Sequence, residues 1–74
     1  MEFIPTGFGD SLRLMRLRAE LTQLQVAAAL GTHVSAISRI ESDQRQPRAK
    51  FLGRLFALYK ATDAEVAAAI RRAA

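Results

Sequence analysis

The chain contains no cysteine. Disulfide staples and thiolate metal sites are therefore excluded, and a single domain of 74 residues must hold together on packing alone. There is one histidine, His33, and neither a cluster of carboxylates nor a glycine-rich phosphate loop. The expectation is a protein without metal, cofactor or catalytic residues, and so not an enzyme. Half the residues are apolar, but no apolar run approaches the ~20 residues of a membrane-spanning helix. The opening Met-Glu-Phe-Ile-Pro has neither the basic region nor the long apolar region of a signal peptide. A cytoplasmic protein is expected. No β-type alternation, internal repeat or low-complexity segment is present.

What the chain does have is positive charge. Eleven Lys and Arg against seven Asp and Glu leave a formal charge of +4. Such an excess suits a polyanion, although many unrelated small proteins are equally basic. Its distribution says more. Arg39, Arg45, Arg48, Lys50 and Arg54 fall in one span whose only acids are Glu41 and Asp43.

The apolar pattern is helical. Residues 1–8, with Phe3, Ile4, Pro5 and Gly7, read as an irregular N-terminal arm, and residues 9–74 as the folded domain. Asp10 is placed to cap a first helix to about Ala19, with Leu12, Met15, Arg16 and Ala19 at spacings of three and four. A fourth helix is expected over Ala49–Tyr59, with Leu52, Leu55, Phe56 and Tyr59 inward. Gly53 inside it costs roughly 1 kcal/mol relative to Ala. Thr62 and Glu65 form a capping box for a fifth helix to about Arg72. Its apolar stripe, Val66, Ala67 and Ile70, either closes the monomer core or forms the seam of a dimer. Leu14, Leu17 and Leu24 lie off the inward faces. They would make a patch covered by Phe3 and Ile4, or by a partner protein.

The centre of the chain is Thr22–Glu41. Thr22 and Gln25 have the capping-box pattern. Val26, Ala27 and Leu30 recur at helical spacing, and Gly31 stops the helix because a residue without Cβ enters the left-handed conformation cheaply. Ile37 and Ile40 then mark the inner side of a second helix, and the small Ala27 lets the two cross closely. This is the pattern of a helix-turn-helix, whose second helix can enter a DNA groove.

On these residues the sequence resembles the lambda-repressor-like (XRE- or Cro-type) helix-turn-helix family. The matching positions are Leu21-Thr22-Gln23, Val26-Ala27, Leu30-Gly31, Ser35, Ile37-Ser38-Arg39-Ile40-Glu41 and Pro47. Leu12, Met15 and Arg16 upstream and Leu52 and Leu55 downstream extend the likeness over about residues 9–62. The resemblance implies an all-α, compact five-helix domain, and an ion pair between Arg16 and Glu41 that ties helix 1 to the end of helix 3. Four positions depart from the family pattern. Glu20 and Asp43 stand where Gly is frequent, His33 where a capping Ser is usual, and Val34 where a polar contact residue is common.

With Ile37 and Ile40 inward, His33, Val34, Ser35, Ser38 and Arg39 are left to face DNA bases. Arg39 can grip a guanine edge with two hydrogen bonds, or hold a phosphate or lie in solvent. Ser35 can bond a base or a phosphate, and Val34 can pack on a thymine methyl. Thr22, Gln23, Gln44, Arg45 and Arg48 are the candidate phosphate contacts, Gln23 through the family resemblance. The expected function is a sequence-specific DNA-binding transcriptional regulator, a repressor, acting as a dimer on a pseudo-palindromic double-stranded operator. The competing reading is an interaction module, or a small antitoxin or controller protein, that docks a partner through Leu14, Leu17 and Leu24.

Overall fold

A computed structural model describes residues 6–73. Five helices follow one another: α1 (Phe8–Arg18), α2 (Gln23–Leu30), α3 (Val34–Glu41), α4 (Ala49–Tyr59) and α5 (Asp63–Ala73). No strand occurs among the described residues. α1 packs against both α3 and α5, and α2 packs against α3. All five helices supply the core, which includes Leu12, Met15, Val26, Ile37, Leu55, Tyr59 and Ala69. Burying each of its large side chains contributes about 1.5–3 kcal/mol.

The helix ends follow one rule. After each of α1 to α4 a residue turns left-handed, and two backbone N–H groups bond back into the last turn. After α2 that residue is Gly31 (φ 67°), with Thr32 N–H donating to Ala27 O at 2.9 Å and Gly31 N–H to Ala28 O at 3.4 Å. After α1, α3 and α4 the same conformation is taken by Glu20 (φ 59°), Asp43 (φ 62°) and Lys60 (φ 51°). The matching bonds run from Leu21 to Arg16 O, Gln44 to Arg39 O and Ala61 to Phe56 O. Non-glycine residues enter this region at a cost of roughly 1–2 kcal/mol each, so three turns carry strain that α2 avoids.

Two expectations are corrected at the ends of the chain. Asp10 is not the cap of α1. The helix starts earlier, at Phe8, and its N-cap is Gly7, which makes no side-chain capping bond. Asp10 sits in the first turn and instead accepts from Thr6 N (3.1 Å) and Thr6 Oγ1 (2.7 Å), which hold its carboxyl below the usual range. Phe8, read as part of the arm, is thus helical and packs against the core. The proposed cover by Phe3 and Ile4 lies outside the described residues.

The stripe read on α5 is rotated from the face that packs inward. Ala69 is the fully buried residue, Val66 is half-buried, and Ala67 and Ile70 are exposed. The cause is the docking of α5 along α1. Arg18 of α1 grips Glu65 with two hydrogen bonds (2.6 and 2.9 Å) and donates to Tyr59 O, while Arg72 donates to the buried Ser11 hydroxyl at 2.8 Å. Glu65, Ala69 and Arg72 fall on one helical face, and that face meets α1.

Candidate nucleic-acid interface

α2 begins with both halves of a capping box. Gln25 N–H donates to Thr22 Oγ1 (3.0 Å), and Thr22 N–H donates to Gln25 Oε1 (2.8 Å). Gly31 then turns the chain, and His33 serves as the extended N-cap residue of α3 without a side-chain capping bond. Along α3, Ala36, Ile37 and Ile40 are buried, so the other face is left to solvent. That face carries Val34, 42% exposed, together with Ser35, Ser38 and Arg39, with His33 exposed at its start.

A buried network holds α3 from behind. Arg16 Nε lies 2.6 Å from Glu41 Oε2 and Arg16 Nη2 3.0 Å from Oε1, a two-pronged pair in which neither side chain is more than 9% exposed. Arg16 Nη1 also donates to Leu21 O at 2.9 Å. The hydrogen bonds to Glu41 are the largest influence raising the guanidinium above its ordinary pKa. Tyr59 stands close enough to feel both charges. Burial first, and then the Glu41 carboxylate, push its phenol up to about 12. Such a phenol stays protonated at neutral pH.

Gln23, expected at the phosphate backbone, has a second attachment that the sequence did not reveal. Its Nε2 donates to Glu41 Oε1 at 3.0 Å. Glu41 therefore joins α1, the start of α2 and the end of α3. The signal was present only as residue types, since which of several polar side chains reaches Glu41 depends on the crossing of the helices.

Asp43, which stands where the family often has Gly, also has a structural attachment. Its Oδ1 accepts from Gly9 N–H at 2.9 Å and so caps α1 from across the molecule. The approach is close because residues 7 and 9 lack side chains. A Cβ on Gly9 would lie 2.5 Å from Glu41 O and 2.6 Å from Ile40 O. Both acids of the basic span are thus committed to α1. Their turning away leaves the side of α3 and the following loop dominated by cations.

The loop folds back over the end of α3, with Gln44 N–H (2.8 Å) and Arg45 N–H (3.3 Å) both donating to Arg39 O. Gln44, Arg45, Arg48 and Lys50 are exposed. Arg54 has a fixed partner within the fold, because its guanidinium donates to Leu30 O at 3.2 Å and completes the end of α2. Thr22 is exposed and Gln23 half-buried at the start of α2. The other apolar side chains singled out are also exposed: Leu14 and Leu17 on α1, Leu24 on α2 (66% exposed) and Ile70 on α5 (58% exposed). Among the described residues no helix is long and apolar enough to cross a membrane, and no group of three His, Asp or Glu side chains is placed to hold a metal ion.

Compared with known proteins, residues 8–69 match a family model described as a helix-turn-helix domain. No curated protein and no solved structure matches the chain significantly.

Proposed function

The chain belongs to the helix-turn-helix domain family of DNA-binding proteins, and we propose that it is a sequence-specific transcriptional repressor of the lambda-repressor-like (XRE- or Cro-type) group. One observation carries this reading. α3 presents a free face while its other face and its end are fixed by the core and by Glu41. A reading helix needs both properties, because base recognition requires side chains held in register with the groove.

In this reading His33, Val34, Ser35, Ser38 and Arg39 meet base edges. Thr22, Gln23, Gln44, Arg45 and Arg48 hold the phosphates on either side. Arg39 takes a guanine edge and Val34 a thymine methyl. Two copies bind a pseudo-palindromic operator with half-sites ~34–36 Å apart, one helical turn of DNA. The exposed Ala67 and Ile70, with half-buried Val66, are the candidate seam between copies. A monomer in sedimentation at high concentration, with and without DNA, removes that seam.

Selection of bound sites from random duplex DNA tests the whole reading. It should return a pseudo-palindrome, and affinity for it should fall steeply with salt as phosphate contacts release counterions. Recovery of no enriched sequence overturns sequence-specific regulation. Arg39→Ala should relax one base position by ~1–3 kcal/mol, whereas Arg45→Ala should weaken all sequences alike and flatten the salt dependence by about one unit. A second reading rests on the exposure of Leu14, Leu17 and Leu24, which suits a protein-docking antitoxin or controller. That partner would be lost on Leu24→Asp and kept on Arg39→Ala.

A further inference from the structure

Between α3 and the start of α4 lies a cleft of about 500 Å³. Ala36 and Ile40, on the inner side of α3, line it together with Pro47 and Phe51. Arg45 and Arg48 also line it. Phe51 also lines an adjoining hollow with Arg48, Lys50 and Arg54. Neither hollow is lined by an acidic residue.

We propose that this cleft binds a small planar organic anion, an aromatic carboxylate or sulfonate, and that the occupant competes with DNA for Arg45 and Arg48. The volume falls in the range of small-molecule sites, and the lining sets Ile40, Pro47 and Phe51 beside the polar Arg45, Gln46 and Arg48. Three features select the ligand class. The apolar side chains in the lining favour a hydrocarbon body, and the half-buried Phe51 ring favours an aromatic one that can stack against it. The guanidinium groups favour a planar anion, which they grip with paired hydrogen bonds. Inorganic phosphate would answer only the arginines, and a neutral aromatic only the apolar side chains. The anion has a consequence for regulation, a step that rests on the DNA-binding reading above. Arg45 and Arg48 cannot serve a carboxylate in the cleft and a phosphate of the operator at once, so the ligand acts as an inducer.

Naphthalene-2-carboxylate is a suitable probe, added to the full chain labelled with ¹⁵N. It should cause saturable amide shifts centred on Ala36, Ile40, Gln46 and Phe51. Inorganic phosphate and neutral 2-naphthalenemethanol should each bind at least ~10-fold more weakly, since each lacks one half of the recognition. The Arg45→Gln/Arg48→Gln double variant, its fold checked by amide dispersion, should lose the probe. Arg71→Gln/Lys60→Gln, the same change in charge elsewhere, should keep it. Equal binding of phosphate, shifts centred on Leu14 or Leu24, or binding indifferent to the double variant would each overturn the assignment. With a selected operator, saturating probe should lower affinity roughly 10-fold and reduce the salt slope by about 2, the share of two phosphates. Probe and operator bound together without mutual effect would refute the competition. A protein that binds its operator but not the probe refutes the cleft alone. One that binds the probe but no DNA supports the cleft and refutes the regulator.

Discussion

Two ion pairs fasten the molecule to α1, and they have nearly the same geometry in different surroundings. Arg16 grips Glu41 at the end of α3, and Arg18 grips Glu65 at the start of α5, each with a closest approach of 2.6 Å. The side chains of the first pair are 9% and 5% exposed, those of the second 44% and 25%. Distance alone would rate them equal. What separates them is the medium: an unpaired charge left in the interior cannot recover its hydration, while one left at the surface can. The helix proposed to read DNA is therefore held by the attachment that is harder to lose, and α5 by the one that solvent can replace.

The largest test breaks the buried pair from one side. Glu41→Ala should destabilise the fold by ~3–5 kcal/mol, because Arg16 is stranded in the interior and Gln23 loses its acceptor. Urea unfolding of the variant reads this directly. For a domain of this size such a loss can remove most of the stability. Arg16→Met/Glu41→Leu should recover much of it, since two apolar residues leave no charge to desolvate. A single variant that unfolds no more easily than the parent would show that the pair has the character of the surface one.

The same contrast marks what could be read from the sequence. The helices, the capping boxes at Thr22 and Thr62, the glycine turn and the inward Ile37 and Ile40 were legible because each is written in a local period or a neighbouring cap. The partnership of Arg16 and Glu41, 25 residues apart, came only from the family resemblance. Gln23 on Glu41, Asp43 on Gly9 and Arg54 on Leu30 O were not foreseen. Each depends on how helices cross, and spacing within one helix does not carry that information. Gly7 looked like a mark of an irregular arm, and Gly9 carried no reading. They are the room that the end of α3 requires. On α5 alanines dominate, so the inner face could not be told from the flanking one, and Ala69 was missed for that reason.

A second test presses on the same seam without touching charge. Gly9→Ala puts a Cβ against two backbone carbonyls of α3, neither of which can rotate away. Forced separation of α1 from α3 should cost ~1–3 kcal/mol, the usual range for overpacking, and should weaken operator binding as the end of α3 moves. If thermal unfolding is unchanged, α1 does not brace α3 as closely as its position implies.

Gly53→Ala is the comparison far from both pairs. A Cβ there meets nothing within 4 Å, and the site lies within α4. The variant should gain about 1 kcal/mol from helix propensity, seen as a higher melting temperature, with operator affinity unchanged.

The smallest effect belongs to the exposed pair, and pH isolates it. The Arg18 hydrogen bond, followed by the backbone bond from Thr62, holds the Glu65 carboxyl below its ordinary value. A carboxyl whose native value is lowered contributes stability that is fully present above the unfolded value and is lost as pH falls through the native one. Glu65→Gln retains an oxygen to accept Thr62 N–H, so it removes the charge while keeping the cap. At neutral pH the variant should be less stable by under ~1 kcal/mol, the range of surface pairs. The gap should close below the ordinary carboxylate range, where the parent's own Glu65 is protonated. It should also close near 1 M salt, where screening acts over about 3 Å. Asp10 titrates in both proteins and cancels in the difference. A gap of several kcal/mol that survived high salt would mean that Arg18 and Glu65 are as sheltered as Arg16 and Glu41, and the contrast between the two attachments would fail.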